Sequence, residues 1–247
     1  MRRQRLLIAA GIAAFLVFLV ALVPANLLRR WLPPGIAVAG LDGTIWSGHA
    51  STVSVQGRTI GAADWSCRPW RLLLLEWSCR VLLRPPGGML SAALSGGFDG
   101  EMQARELAGS LPIAFLEGIV TPVGWTGLLE LDVARARIAR GLPLDAEGRL
   151  FVRGLKAPGP GGAMLGDFEL VIGEGAVGTG TLTGRLRDLG GPLRVRGTIE
   201  LKDDRSYFVS GEVAPGPGAG DAIFNTLAFL GPPDTSGRRP FTIEGTL

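Results

Sequence analysis

The chain has 247 residues, 47% of them hydrophobic, with 25 Lys+Arg against 22 Asp+Glu for a formal charge of +3. Arg2, Arg3, Arg5, Arg29 and Arg30 flank one apolar run, so the remainder carries 20 of the basic residues against all 22 acidic ones, a net of −2. This excludes the clustered positive footprint of a nucleic-acid binder, and two cysteines with one histidine exclude a recognisable zinc spacing.

From Leu6 to Leu28 there is no charged side chain. At about 1.5 Å per residue, a helix of that length crosses a hydrocarbon core of about 30 Å and satisfies its own backbone there. A cleaved secretory signal is the rival reading, since Val23 and Ala25 make a small-residue pattern before Asn26. The run exceeds the roughly 7–15 residues of a signal core and Pro24 lies one residue before the cut, which favours a retained anchor. The expected division is an anchor over residues 1–32 and a β-rich body over 33–247. Three arginines before the run against two after it give a slight bias toward a cytoplasmic amino terminus, which puts the body outside.

Pro33, Pro34 and Gly35 stop any continuing helix, and Trp31 suits a membrane interface. Asp42-Gly43 is a turn signal, followed by Val53 and Val55 alternating with Ser54, so a hairpin is expected here. A strand over Thr59–Trp65 leads to Pro69 and four leucines, a short apolar corner whose proline suits a first helical turn. The next strand covers Trp77–Leu83. Cys67 and Cys79 stand in a repeated Trp-Ser-Cys-Arg tetrapeptide; in an oxidising compartment they can pair, and otherwise they are buried thiols.

Beyond Met89, glycine separates short segments with period-two alternation. Leu193, Val195, Ile199 and Leu201 oppose Arg194, Arg196, Thr198, Glu200 and Lys202, while Phe241, Ile243 and Leu247 oppose Thr242, Glu244 and Thr246. Such strands have one dry and one wet face. The apolar positions shift by one between Val133 and Ala136, which predicts a bulge near Ala134. Gln103–Leu116 is ambiguous between helix and strand. Asp221–Leu230 has a capping acid and helical spacing of Ile223, Phe224, Leu227 and Leu230. The expected class is all-β: a large curled antiparallel sheet, sandwich-like or with an open groove, and one or two short helices. So many half-buried strands exceed what those helices can cover, which leaves surface for a partner or a hydrophobe.

Gly173-Glu-Gly-Ala-Val-Gly178 matches the dinucleotide spacing, but a strand rather than a helix follows it, so it reads as a glycine-rich turn. Ser47 and His49 lack the nucleophile-elbow glycine, and His49 reads as an ordinary strand residue. Asp203-Asp204 reads as a hairpin turn. No pattern argues for catalysis, and no cofactor is expected.

Leu41-Asp-Gly-Thr-Ile-Trp-Ser-Gly-His-Ala50 resembles the Gly-Thr-x-Trp-x-Gly segment of the type II secretion system protein N family, here Gly43, Thr44, Trp46 and Gly48. Trp65, Pro69 and Leu72–Leu74 are similar to its tryptophan, proline and leucine corner. Gly191, Pro192 and Leu193, then Tyr207 and Gly211, resemble a later block, and Gly231, Asp234 and Gly237 resemble its end. Cys67 and Cys79 have no counterpart in that pattern. The resemblance implies a single-pass inner-membrane subunit with a periplasmic body, in a machine that exports folded proteins across the outer membrane. It implies other inner-membrane secretion subunits as partners and no catalytic residues. The alternative is a groove that binds lipid or another hydrophobe, similar in character to AsmA-like envelope proteins.

Overall fold

The computed structural model describes residues 2–30, 32–97, 100–117, 123–139, 142–159, 162–173 and 181–246. Contacts divide the chain into two compact units, Met1–Pro86 and Gly87–Leu247.

In the first unit, helix α1 spans Arg2–Ala21, not the whole charge-free run. Pro24 explains the difference: it has no N–H for the carbonyl four residues back, and its ring crowds that carbonyl. The chain turns instead through a 3-10 segment, Ala25–Arg30. Among the described residues, no helix is long and apolar enough to cross a membrane. Four strands follow: β1 (Ile36–Gly43), β2 (Ser47–Val55), β3 (Arg58–Cys67) and β4 (Trp77–Arg84). They form an antiparallel meander in sequence order. The first hairpin turns at Thr44–Trp46, one step later than Asp42-Gly43, because pairing continues as far as Gly43 opposite Gly48. The corner before β4 is a 3-10 turn over Pro69–Leu74 with proline at its start.

The second unit is a longer meander: β5 (Met89–Gly96), β6 (Glu101–Pro112), β7 (Thr126–Ala139), β8 (Leu142–Lys156), β9 (Met164–Ile172), β10 (Thr181–Asp188), β11 (Leu193–Lys202), β12 (Ser206–Pro215) and β13 (Arg239–Thr246). Each strand pairs antiparallel with its neighbours in sequence. Among the described residues β13 pairs only with β12, so the unit does not close on itself.

The expected all-β antiparallel class is what the chain forms. The ambiguous segment Gln103–Leu116 is strand β6 followed by a 3-10 turn at Ile113–Leu116, because pairing with both β5 and β7 overrides its weak helical spacing. The bulge near Ala134 is present as a register shift between Val133 and Arg135 against β8. Helix α2 covers Asp221–Ala228 with Gly220 at its N-cap. Asp221 therefore lies in the first turn rather than at the cap, where its charge still suits the helix dipole. Asp203-Asp204 makes the expected hairpin turn: the Asp204 carboxylate accepts the Ser206 N–H at 2.8 Å. Residues 174–180, which hold most of the glycine pattern, lie outside the described residues.

Period-two alternation puts one apolar face on this meander. Phe168, Val195 and Val213 pack with Ile223 and Leu227 of α2. Leu111 and Leu129 pack with Ile113 of the 3-10 turn after β6, and Val152 and Leu155 border both clusters. The two short lids cover only part of the face. Ile199, Leu201 and Val209 stay half-buried, and Ile243 is 54% exposed.

The opposite face is ionic. Arg153 lies between Glu130 (3.6 Å) and Asp167 (3.7 Å), with its guanidinium 5.1 Å from the Phe151 ring centre. Glu169 is buried at 2% exposure and tolerates burial because Arg187 pairs with it.

Candidate functional site

The first hairpin is where the apolar helix meets the sheet. The Thr44 hydroxyl closes the turn, accepting the Trp46 N–H at 3.3 Å and the Ser47 N–H at 3.1 Å. Thr44 also makes a β-bridge with Pro24, and the Ile45 N–H donates to the Val23 carbonyl at 3.0 Å. The main contact is made by Trp46, whose indole N–H donates to the Val20 carbonyl at 2.8 Å. Val20 stands four residues before Pro24, so its carbonyl is the one that proline deprives of a helical donor. The Val23 N–H also reaches that carbonyl, at 3.4 Å, so the Trp46 indole adds a second and shorter donor where the helix ends.

Behind this contact, the Trp65 indole N–H donates to the Thr44 carbonyl at 3.1 Å. Its ring lies so close to Gly48 that a Cβ there would sit 2.5 Å from Cζ2. Gly43 has φ +87, and a Cβ on it would meet the Ser47 carbonyl at 2.5 Å. Each residue of Gly43, Thr44, Trp46 and Gly48 therefore has a steric or hydrogen-bonding reason to be what it is. Trp46 is half-buried. Losing its hydrogen bond costs about 1 kcal/mol and its partial burial about 1 kcal/mol more. We expect Trp46→Ala to destabilise the detergent-solubilised protein by about 2 kcal/mol and Trp46→Phe by about half that, read by thermal unfolding.

Beyond the hairpin, the Cys67 N–H donates to the Trp46 carbonyl. Cys67 and Cys79 face each other across β3 and β4 and are joined by a disulfide. This bond closes the base of the 3-10 corner. There Trp70 (61%), Leu73 (87%) and Leu74 (71%) are exposed. The sequence marked that corner as apolar but carried no signal that its leucines face outward.

The remaining motif residues lie in the second unit and are held locally. Gly191 and Pro192 belong to the β10–β11 turn, where the Asp188 carboxylate accepts N–H groups from Gly190 (3.3 Å) and Val195 (3.2 Å), and Leu193 packs beside the α2 cluster. Asp234 clasps the loop before β13. One of its oxygens accepts the Ser236 N–H and hydroxyl at 2.8 Å and the Arg238 N–H at 2.9 Å, within a turn that contains Gly237. Gly231 offers its carbonyl to the Arg239 side chain at 2.9 Å. The Arg238 N–H and then the Ser236 hydroxyl hold the Asp234 carboxyl below its ordinary range. The clasp is therefore present at neutral pH and is lost as pH falls through that lowered value.

His49 does more than fill a strand position. Its Nδ1 lies 2.8 Å from Asp64, which also pairs with Arg84 at 2.6 Å. Asp64 lies opposite His49 on β3, a cross-strand pairing that periodicity alone could not reveal. Among the described residues no hydrogen bond joins Ser47 to His49, and no three His, Cys, Asp or Glu side chains group to hold a metal.

Residues 34–242 match the family described as type II secretion system (T2SS), protein N. The chain belongs to the type II secretion system protein N family. It is 29% identical to a type II secretion system protein N of Aeromonas hydrophila, covering 99% of this chain and all of that protein. It is 26% identical to the protein of that name from Vibrio cholerae serotype O1, over 87% of both chains. The corresponding protein of Pectobacterium carotovorum is 23% identical over 97% of both. No solved structure matches the chain. The Gly43-to-Gly48 motif, the corner at Pro69 and the blocks at Gly191 and Asp234 all fall inside the matched range.

Proposed function

We propose that this protein N family member is an accessory subunit of the type II secretion system. In this reading residues 1–32 tether it to the inner membrane with the amino terminus in the cytoplasm. Residues 33–247 form a periplasmic body that acts by binding other secretion subunits rather than by catalysis, without a cofactor. The observation that carries the reading is the family match over residues 34–242. The tether is supported by the run from Leu6 to Leu28, which carries no charged side chain. Leu7, Ile8, Phe15, Phe18 and Leu19 of α1 are exposed, leaving an apolar surface that suits lipid.

An unpaired sheet edge is a natural docking element, and β13 supplies one. Pro240 stands opposite Glu212 and has no N–H, so that pair is not hydrogen-bonded. By alternation the N–H of Thr242 also points away from β12. Thr242→Pro should therefore leave the native pairing intact and shift the melting temperature by only a few degrees, while removing a donor from the open edge. We expect it to abolish crosslinking to inner-membrane secretion subunits in cells and to reduce export. Unchanged crosslinks would show that β13 is not the docking edge. Undisturbed export in a deletion strain, with no secretion subunit captured, would overturn the functional reading itself.

The partly uncovered apolar face around Ile199, Leu201, Val209 and Ile243 favours a second reading, a trough for lipid or another hydrophobe. Lipid mass spectrometry of the purified full-length protein separates the two, because a docking subunit alone would carry no stoichiometric lipid.

A further inference from the structure

We infer that the 3-10 corner between β3 and β4, Pro69–Leu74, with Leu75 at its end, is a second membrane contact that enters the interface of the bilayer holding α1. This rests on the reading of α1 as a membrane tether. The geometry comes from the meander. β1 runs toward Gly43 and β3 toward Cys67, and Ser47 at the start of β2 pairs with Ser66. The first hairpin turn and the β3–β4 corner therefore leave the same end of the first unit, and the Cys67 N–H joined to the Trp46 carbonyl ties them together. That end is also where α1 arrives, with Val20, Val23 and Pro24 bonded to the hairpin.

The chemistry of the corner fits an acyl and headgroup boundary. Trp70, Leu73 and Leu74 of the six-residue turn, and Leu75 at its end, are all more than half exposed. Arg68 and Arg80, exposed at the base beside the disulfide, suit lipid phosphates, and a tryptophan beside them suits the interfacial belt. Arg71 pairs with Glu76 at 3.3 Å, so the corner turns no unpaired acid toward the lipid. The Cys67–Cys79 bond closes the corner at its base, which makes ordering of the corner part of folding rather than of binding. Two contacts at one end of the first unit would fix how that unit stands on the membrane more tightly than a single helix does.

The test uses the full-length oxidised protein in nanodiscs of phosphatidylethanolamine and phosphatidylglycerol, labelled with an environment-sensitive fluorophore at Leu73→Cys or, separately, at Phe15→Cys. We expect both labels to emit to the blue, to be quenched by acyl-chain nitroxide lipids and to resist aqueous iodide. A Leu73 label open to iodide, with the Phe15 label quenched by lipid, overturns the second contact and leaves the tether standing. Iodide access at both positions overturns the tether as well. A Leu73 label shielded from both quenchers means that protein covers the corner, which overturns the assignment to lipid.

Discussion

Gly43→Val is expected to destabilise the protein by about 3–5 kcal/mol, the sum of a strained backbone and a steric clash. At φ +87 a β-branched residue occupies a region that L side chains avoid, and a Cβ would lie 2.5 Å from the Ser47 carbonyl and 2.9 Å from the Gly48 Cα. The Ser47 carbonyl has little freedom to retreat, because it accepts the Thr44 N–H at 2.8 Å and so closes the hairpin turn. The turn in turn holds Trp46 against Val20, so opening it also releases the end of α1. Thermal unfolding of the detergent-solubilised protein, followed by circular dichroism, should show a melting temperature lower by roughly 6–20 °C. A midpoint unchanged from wild type would mean that Gly43 does not hold this conformation.

Replacing both Cys67 and Cys79 by serine is expected to cost about 3 kcal/mol in the chain-entropy account of a short closed loop. The separation of 12 residues sets that figure. The native structure should change little, because the pairing of β3 with β4 ends at Cys67 opposite Cys79, so the loss appears in global stability. Denaturant unfolding with and without a thiol reductant reads it directly. Wild type should lose stability on reduction to the level of the double variant, and the double variant should not respond to reductant. Two titratable thiols in the unreduced, denatured wild type would show that the bond does not form.

Much of the fold was legible in the pattern of residues. Leu193, Val195, Ile199 and Leu201 alternate with charged neighbours and fall on one face of β11, and the one-residue slip after Val133 is a real register shift. Both follow from the period of two in a strand, a purely local geometry. Local signals failed where neighbours decided. Gln103–Leu116 is helical enough to be ambiguous, yet it becomes strand because β5 and β7 pair with it from both sides. The apolar run does not continue through Pro24 as helix, because proline has no N–H to donate to the carbonyl four residues back.

The candidate site divides in the same way. Gly43, Thr44, Trp46 and Gly48 stand out as a motif, but their roles are contacts with residues distant in sequence: Trp46 with Val20, and Gly48 with the ring of Trp65. The exposure of Leu73 and Leu74 was hidden, since an apolar corner is more often core than surface.

By itself, then, the sequence determined the all-β class, the apolar amino-terminal segment, the family and the bulge, because each depends on periodicity, local composition or ordered motifs. Only the tertiary structure decided that the Trp46 indole bonds the Val20 carbonyl at the end of the helix, that Asp64 joins His49 to Arg84, and that the leucine corner shares one end of a unit with the helix. Those facts depend on which strand lies beside which and in what register, information carried by pairing across the sheet rather than by any single stretch of chain.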